Sequence, residues 1–315
     1  MPQFVRPEDT ALVIPVLNPG RHLDQLLPAI ARQTFRPGQF LVIDSASDDG
    51  SIATMEAAGA RVHRIERRDF DHGGTRQVGV DLVGEARFVL FLTQDAVPAD
   101  PEAFGNLVSA FADERVGVAF GRQLPHLDAG PVGAHARLFS YADRSYVCTP
   151  ESAPTFGVRA SFCSNSFAAY RVAALRAVGG FPSGTIFGED SICAGRMLLA
   201  GWSKAYVAQA CVHHSHDYSL AEDFRRYFDV GVLHAREPWM VERFGRAEGE
   251  GGRFVRSELG YLARHAPVRV PEAMVRTALK LAAYRLGRAE ARLPNTFKQR
   301  ISLNRGFWRR EAQAG

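Results

Sequence analysis

Cysteine is scarce in this 315-residue chain: Cys148, Cys163, Cys193 and Cys211 are scattered, with no C-x-x-C pair among them. That excludes a disulfide framework and a cysteine zinc site, and leads us to expect reduced thiols in a cytoplasmic protein. Long apolar runs are missing too. The longest are strand-sized, too short to span a bilayer, and residues 1–7 hold no signal-peptide core. No strand is followed by the glycine spacing of a dinucleotide fingerprint or a P-loop. There is no internal repeat or low-complexity tract. Aromatic residues interleave only sparsely with basic ones, which argues against a nucleic-acid stacking surface. The remaining composition, 46% hydrophobic and 23% charged, is that of an ordinary globular chain with an ample core.

Charge is short of one sign in one place. Between residues 253 and 310 fourteen Lys and Arg face three Glu, a local +11 within a formal total of +4, so the rest of the chain is net acidic. A basic tail on an acidic body points to an anionic partner for the tail.

The first two-thirds alternate strand and helix. Ala11 to Leu17, Phe40 to Asp44, Ala60 to Ile65, Phe88 to Thr93 and Val116 to Arg122 are strand-like. Helical spacing recurs around Leu23 to Ile30, around Ile52 and Met55, from Thr75 to Val83 and from Phe104 to Phe111. This β-α-β order predicts an α/β fold with parallel strands and right-handed crossovers. Residues 123–160, with Pro125, Pro131, Pro150 and Pro154, read as a long irregular segment. Phe162 to Tyr170 then reads as a strand, Val172 to Val178 as a helix, and a further helix follows Glu189-Asp190. A strand from Lys204 leads to His213, His214 and His216. Leu220 to Trp239 and Val255 to Leu293 look helical, with a linker-like Gly245 to Gly252 between them.

Five polar constellations sit at predicted strand or helix ends. Open α/β sheets bind ligands beyond the carboxyl ends of their strands, which makes these ends the places to look. Pro15-Val-Leu-Asn18 breaks the first strand. Asp44-Ser45-Ala-Ser47-Asp48-Asp49-Gly-Ser51 ends the second, with Ser47 or Asp48 also suited to capping the next helix while Asp44 stays free. Phe70-Asp-His-Gly-Gly-Thr-Arg76 offers helix-start amides and a fixed cation, either for a phosphate or simply as a surface loop. The strand Val89 to Leu92 releases Thr93-Gln94-Asp95. A single carboxylate holds Mg²⁺ or Mn²⁺ when a diphosphate supplies the other oxygens. Glu189-Asp190 opens a helix, where a carboxylate can act as general base.

In this order the motifs resemble the family 2 inverting glycosyltransferases of the GT-A fold, and more closely their bacterial rhamnosyltransferase branch. The resemblance rests on Asn18, the Asp-Ser-x-Ser segment, Phe70 to Arg76, Phe91-Leu-Thr-Gln-Asp-Ala96, Gly188-Glu-Asp190 and Val212-His-His-Ser-His-Asp-Tyr218, spread over roughly residues 10–240. It implies a mixed, mostly parallel sheet flanked by helices. A catalytic domain over 1–240 would divide into a nucleotide-binding half, 1–122, and an acceptor half, 123–240, with a helical basic region over 241–315.

By the same resemblance Asp44 contacts the nucleotide base, and Pro15, Asn18, Ser45, Arg76, Thr93 and Gln94 serve the donor. Asp95 holds Mg²⁺ or Mn²⁺, joined by His214 or His216. Asp190 deprotonates the acceptor hydroxyl, with Glu189 beside it on the acceptor side. The implied donor is deoxythymidine diphosphate rhamnose, and the implied acceptor a cell-surface polysaccharide or lipid-linked saccharide. A uridine diphosphate hexose donor and a non-catalytic sugar-nucleotide-binding subunit are the alternatives. Thr93 departs from the family's D-x-D triplet, leaving one carboxylate where there are usually two.

The tail interleaves Arg264, Arg269, Arg276, Lys280, Arg285, Arg288 and Arg292 with Met274, Ala278, Leu279, Leu281, Ala282, Tyr284 and Leu286. Such a segment suits an anionic membrane surface or a helix packed on the body with a solvated cationic face.

Overall fold

The computed structural model describes residues 5–245 and 249–314. Nine strands form one mixed sheet: β1 (Thr10–Val16), β2 (Gln39–Asp44), β3 (Arg61–Arg64), β4 (Phe88–Leu92), β5 (Val97–Pro98), β6 (Val116–Leu124), β7 (Tyr146–Cys148), β8 (Phe167–Arg171) and β9 (Ser203–His213). The order is β3-β2-β1-β4-β8-β6-β9-β5, with β7 also on β9. The first four neighbours pair in parallel as expected, whereas β8 enters antiparallel between β4 and β6.

Strand side chains alternate between two layers. Leu12, Ile14, Phe88, Leu90 and Leu92 face helices α1 (Gly20–Ala31), α2 (Ser51–Ala57) and, past α3 (His72–Leu82), α4 (Ala103–Ser109). Val13, Val89 and Phe91 face α3 and the later helices of the other layer.

The proline-rich stretch after β6 is more regular than expected. It holds α5 (Pro131–Ser140) and α6 (Ala153–Phe156) as well as β7. Pro131 and Pro154 sit in first helical turns, where a missing N–H costs nothing, so prolines taken as breakers start helices instead. The strand expected over 162–170 begins only at Phe167. Next come α7 (Val172–Ala177), α8 (Glu189–Leu199), α9 (Leu220–Arg236) and α10 (Pro238–Phe244). Of the linker expected over 245–252, residues 246–248 lie outside the described residues. The helix expected from Val255 to Leu293 is two, α11 (Glu250–His265) and α12 (Val270–Arg288), broken at Pro267. Helices α13 (Asn295–Ile301) and α14 (Arg305–Ala314) follow.

The C-terminal helices share a core with the earlier chain. Ile186, Ile192, Phe228 and Val232 pack with Ala283, Phe307 and the fully buried Trp308, so one apolar cluster spans both sides of residue 240. Among the described residues no helix is long and apolar enough to cross a membrane.

Candidate active site

Because β1, β2 and β4 run parallel, their carboxyl ends open on one edge of the sheet. Beyond β4, Asp95 lies with Oδ1 3.5 Å from His214 Nε2 and Oδ2 3.8 Å from His216 Nε2. One ligand atom from each of the three falls within 4.8 Å of the others. His214 continues β9, its backbone N–H donating to the Leu124 carbonyl at 2.9 Å. Its Nδ1 meets Gln123 Oε1 at 3.0 Å, while Gln123 Nε2 donates to Ser164 Oγ at 2.8 Å. An amide oxygen only accepts, so His214 Nδ1 carries a proton and donates to Gln123, which fixes the ring with Nε2 turned to Asp95.

Burial alone would raise the Asp95 carboxyl. His214 outweighs it, helped by Thr93 and His216, and holds Asp95 well below the ordinary range. The Thr93 hydroxyl itself is buried and has no partner in hydrogen-bond geometry, so its help is that of a nearby dipole. His216, stacked on Tyr218, is pushed down to about 4 by burial and by His214, and is therefore neutral at pH 7. One carboxylate and two imidazoles are a donor set that would suit Mn²⁺ well and Mg²⁺ acceptably.

The second constellation opens α8. Asp190 Oδ2 accepts the Asn165 backbone N–H at 3.0 Å, and Oδ1 accepts that of Ser191 at 2.7 Å. The Asn165 side chain donates to Glu189 Oε1 at 3.1 Å, so a single residue fixes both carboxylates. Asp190 is recessed but partly accessible. Burial raises its pKa above the usual carboxylate range, and the charge on Glu189 raises it further. It is therefore the stronger base of the two, as a proton acceptor should be.

Glu189 and Arg76, expected on the acceptor and donor sides, meet each other. Glu189 is 4% and Arg76 6% exposed, and the two form a 3.0 Å ion pair, with Arg76 also donating to the His72 carbonyl at 2.9 Å. Both are buried and turned to each other through Arg76 Nη1, while the Arg76 Nε is buried without a partner. Gly73 and Gly74 are not an anion cradle. A Cβ on Gly73 would collide with the Pro182 carbonyl, and the Gly74 N–H is taken by the capping carboxylate of Asp71 at 2.7 Å.

At the end of β2, Asp44, Ala46, Ser47, Arg64, Ile65, Glu66 and Asp69 line a cleft of about 530 Å³, ample for a nucleoside. Asp44 is not free: Oδ1 accepts the Ser47 N–H at 3.0 Å, and Oδ2 lies 3.9 Å from Arg64. Next to it the Ser45 hydroxyl is buried without a partner. Ser47 and Asp48 are not the helix cap, a place Gly50 takes. Asn18, at φ 48°, spends its amide on Asp48, donating to Oδ1 and accepting its N–H, both at 2.9 Å. Gln94 brackets Leu17 in the same way, accepting its N–H at 2.8 Å and donating to its carbonyl at 3.1 Å. Pro15 lies half-buried inside β1, opposite Ile43. These three shape the edge of the site, with both ends of the Asn18 and Gln94 amides engaged.

The structure adds residues that sequence reasoning passed over. Gln123 and Ser164 connect the histidines to the segment that holds Asp190. His22 and His126 lie close enough to feel Asp95 and His214. Arg137 of α5 acts electrostatically on both His216 and Tyr141, the latter also under the influence of Asp190, and its Nε is buried without a partner. The polar triplet Ser164-Asn165-Ser166, interrupting an otherwise strand-like run, was the available signal.

Residues 11–179 match the family described as Glycosyl transferase family 2. Over 298 residues the chain is 42% identical to the O-antigen chain rhamnosyltransferase RfbN of Salmonella typhimurium, covering 94% of this chain and 95% of that one. Over 309 residues it is 39% identical to the O-antigen chain rhamnosyltransferase WbaN of Salmonella anatum, covering 98% and 96%. Among solved structures it is similar to the mannosyltransferase PcManGT from Pyrobaculum calidifontis in complex with GDP-Man and Mn²⁺, at TM-score 0.56 and 18% identity over 100% of this chain and 91% of that one. A second is S. aureus TarS in complex with UDP-GlcNAc, at TM-score 0.55 and 16% identity over 90% and 91%. Those two likenesses concern the fold. The family match over more than half of the chain, together with two relatives aligned along nearly all of it, places the protein among the family 2 glycosyltransferases.

Proposed function

We propose that this glycosyltransferase moves L-rhamnose from deoxythymidine diphosphate rhamnose to a hydroxyl of a cell-surface polysaccharide or lipid-linked oligosaccharide, with inversion at the anomeric carbon. The observation that carries the reading is the near full-length similarity to two O-antigen chain rhamnosyltransferases. The geometry supports it. The cleft at Asp44 has room for the nucleoside, and Asp95, His214 and His216 would hold a divalent metal for the diphosphate. When bound, that metal offsets charge on the leaving diphosphate. Asp190, held by two backbone N–H groups, removes the proton from the acceptor hydroxyl, which attacks the anomeric carbon from the side opposite the leaving group. In this reading the protein is cytoplasmic and works at an anionic membrane surface, which the basic C-terminal region contacts.

The test is a panel of nucleotide sugars with Mn²⁺ or Mg²⁺, scored for nucleoside diphosphate release in the wild type and in Asp190→Asn. Rhamnose donor turnover should exceed that of uridine diphosphate hexoses. The variant should keep donor binding and lose at least about a hundredfold in turnover. A preference for a uridine diphosphate hexose would replace the donor. Donor binding without release, whatever acceptor is offered, would leave a binding subunit rather than an enzyme.

A further inference from the structure

Helix α12 has its polarity inside out. It lies along α9, and the two backbones approach closely at Gly231 and Gly287, where a Cβ on either would collide with the other helix. Besides the small residues Ala273, Ala283 and Gly287, and Tyr284 and Leu286 near its end, the face turned to α9 carries charge. Arg276 donates to Asp223 Oδ2 at 2.5 Å and to the Tyr218 carbonyl at 2.7 Å, and Lys280 Nζ lies 3.6 Å from the same carboxylate. Two cations that the sequence seemed to offer to a partner are thus spent inward.

The outward face is the apolar one. Pro271, Met274, Val275, Ala278, Leu281 and Ala282 are all exposed and recur at three- and four-residue steps, so they form one stripe. Met274 is 61%, Val275 51% and Leu281 49% exposed, and Val268, just ahead of the helix, 85%. A helix facing water shows the reverse pattern, with its charges outside.

The rim of the stripe says what covers it. Arg285 continues the stripe at the next helical step, Arg292 follows the helix and Arg264 ends α11; all three are exposed, and none forms an ion pair among the described residues. The single acidic residue from 259 to 289 is Glu272, already tied to Arg269 and Arg276. A second copy of the chain is a poor occupant, because the unpaired charges along this stretch are all cations and a symmetric pair brings like charges together. An apolar stripe accompanied by unpaired cations, with its single neighbouring carboxylate already neutralised, matches a lipid surface with negative headgroups.

We infer that the outward face of α12 inserts shallowly into an anionic bilayer, with Met274, Val275 and Leu281 among the acyl-chain boundary and Arg264, Arg285 and Arg292 on lipid phosphates. This deepens the membrane-surface part of the function proposed above, assigning the contact to one helix face and to apolar insertion rather than to charge alone.

The test uses the full chain and sedimentation with vesicles of phosphatidylcholine, alone or with one-third phosphatidylglycerol. Binding is expected to the anionic vesicles only. Met274→Ser with Leu281→Ser should weaken it roughly tenfold or more, and so should Arg264→Gln with Arg285→Gln. Turnover on a soluble acceptor should stay at the wild-type level in both, since neither pair touches the site around Asp190. If only the arginine pair matters, the contact is electrostatic and the insertion inference falls while the membrane reading stands. If neither vesicle is bound, both fall. A concentration-dependent dimer that Leu281→Ser abolishes, without vesicle binding, would assign the stripe to a second copy and overturn the inference.

Discussion

The Arg76 guanidinium lies 3.0 Å from the Glu189 carboxylate, both shut away from water, and this pair sets the electrostatic surroundings of Asp190. Glu189 raises the Asp190 pKa and Arg76 lowers it. In Glu189→Gln the raising charge is gone while Arg76 remains, so Asp190 ionises at lower pH. The acid limb of kcat/KM should therefore move to lower pH, and an unmoved limb would mean that the titrating base lies elsewhere. The same change leaves a buried guanidinium unpaired, so thermal stability should drop, by up to about 3–5 kcal/mol.

At the histidine cluster, Asp95→Asn and His214→Ala should each sharply weaken Mn²⁺-dependent binding of a nucleoside diphosphate. Gln123→Leu, which only frees the His214 ring, should cost about 10–100-fold in Mn²⁺ affinity. Titration of Mn²⁺ by paramagnetic resonance, with and without the diphosphate, measures both. Wild-type Mn²⁺ affinity in all three variants would remove the metal from this strand end.

The Asp44 cleft makes a different demand. Asp44→Asn keeps the shape but loses the charge, and should weaken a nucleoside and its diphosphate by the same factor, roughly tenfold. Asp95→Asn should instead affect the diphosphate alone. Calorimetry of both ligands against both variants separates the two. Equal losses for both ligands in both variants would mean that the two carboxylates do not serve different parts of the donor.

Far from these carboxylates, Asp229 on α9 is fully buried. Its Oδ2 accepts the backbone N–H groups of Leu303 and Asn304, at 3.0 and 3.3 Å, and the Asn304 amide at 3.0 Å. Burial nevertheless raises its carboxyl to about 6. A folded pKa above the unfolded one adds stability at low pH and loses it as pH rises through the folded value, at most about 3 kcal/mol here. Relative to Asp229→Asn, the wild-type melting temperature should therefore fall between pH 4 and pH 7. A constant difference over that range would show that Asp229 does not titrate in it.

Much of the site was legible because its parts sit where regular structure breaks. Asp95 ends a fully buried strand, and Asp190 opens a helix behind a left-handed glycine, Gly188. The histidines follow the last long strand. What a sequence does not state is which distant charge answers which. Arg76 and Glu189 are 113 positions apart, and each alone reads as a ligand contact; together they cancel. Asn165 was hidden inside an apolar run counted as strand. In the fold, proline was misleading because the first turn of a helix tolerates it as readily as a loop does. The periodicity of α12 showed two faces but not which one is turned inward. That choice is made by Asp223, which draws the charged face toward α9.

The far end of the chain reaches back to the loop that opens α3. Asn304 Oδ1 lies 3.3 Å from His72 Nε2, and Arg310 donates to the Phe70 carbonyl at 2.8 Å. The loop whose next residues hold Glu189 is thus buttressed by residues made more than 230 positions later. This loop therefore cannot be finished in the order of its synthesis, and its last supports arrive only when residues 304–310 have left the ribosome. A fusion or truncation that frees this segment removes a support of the loop that precedes Arg76 rather than an appendage.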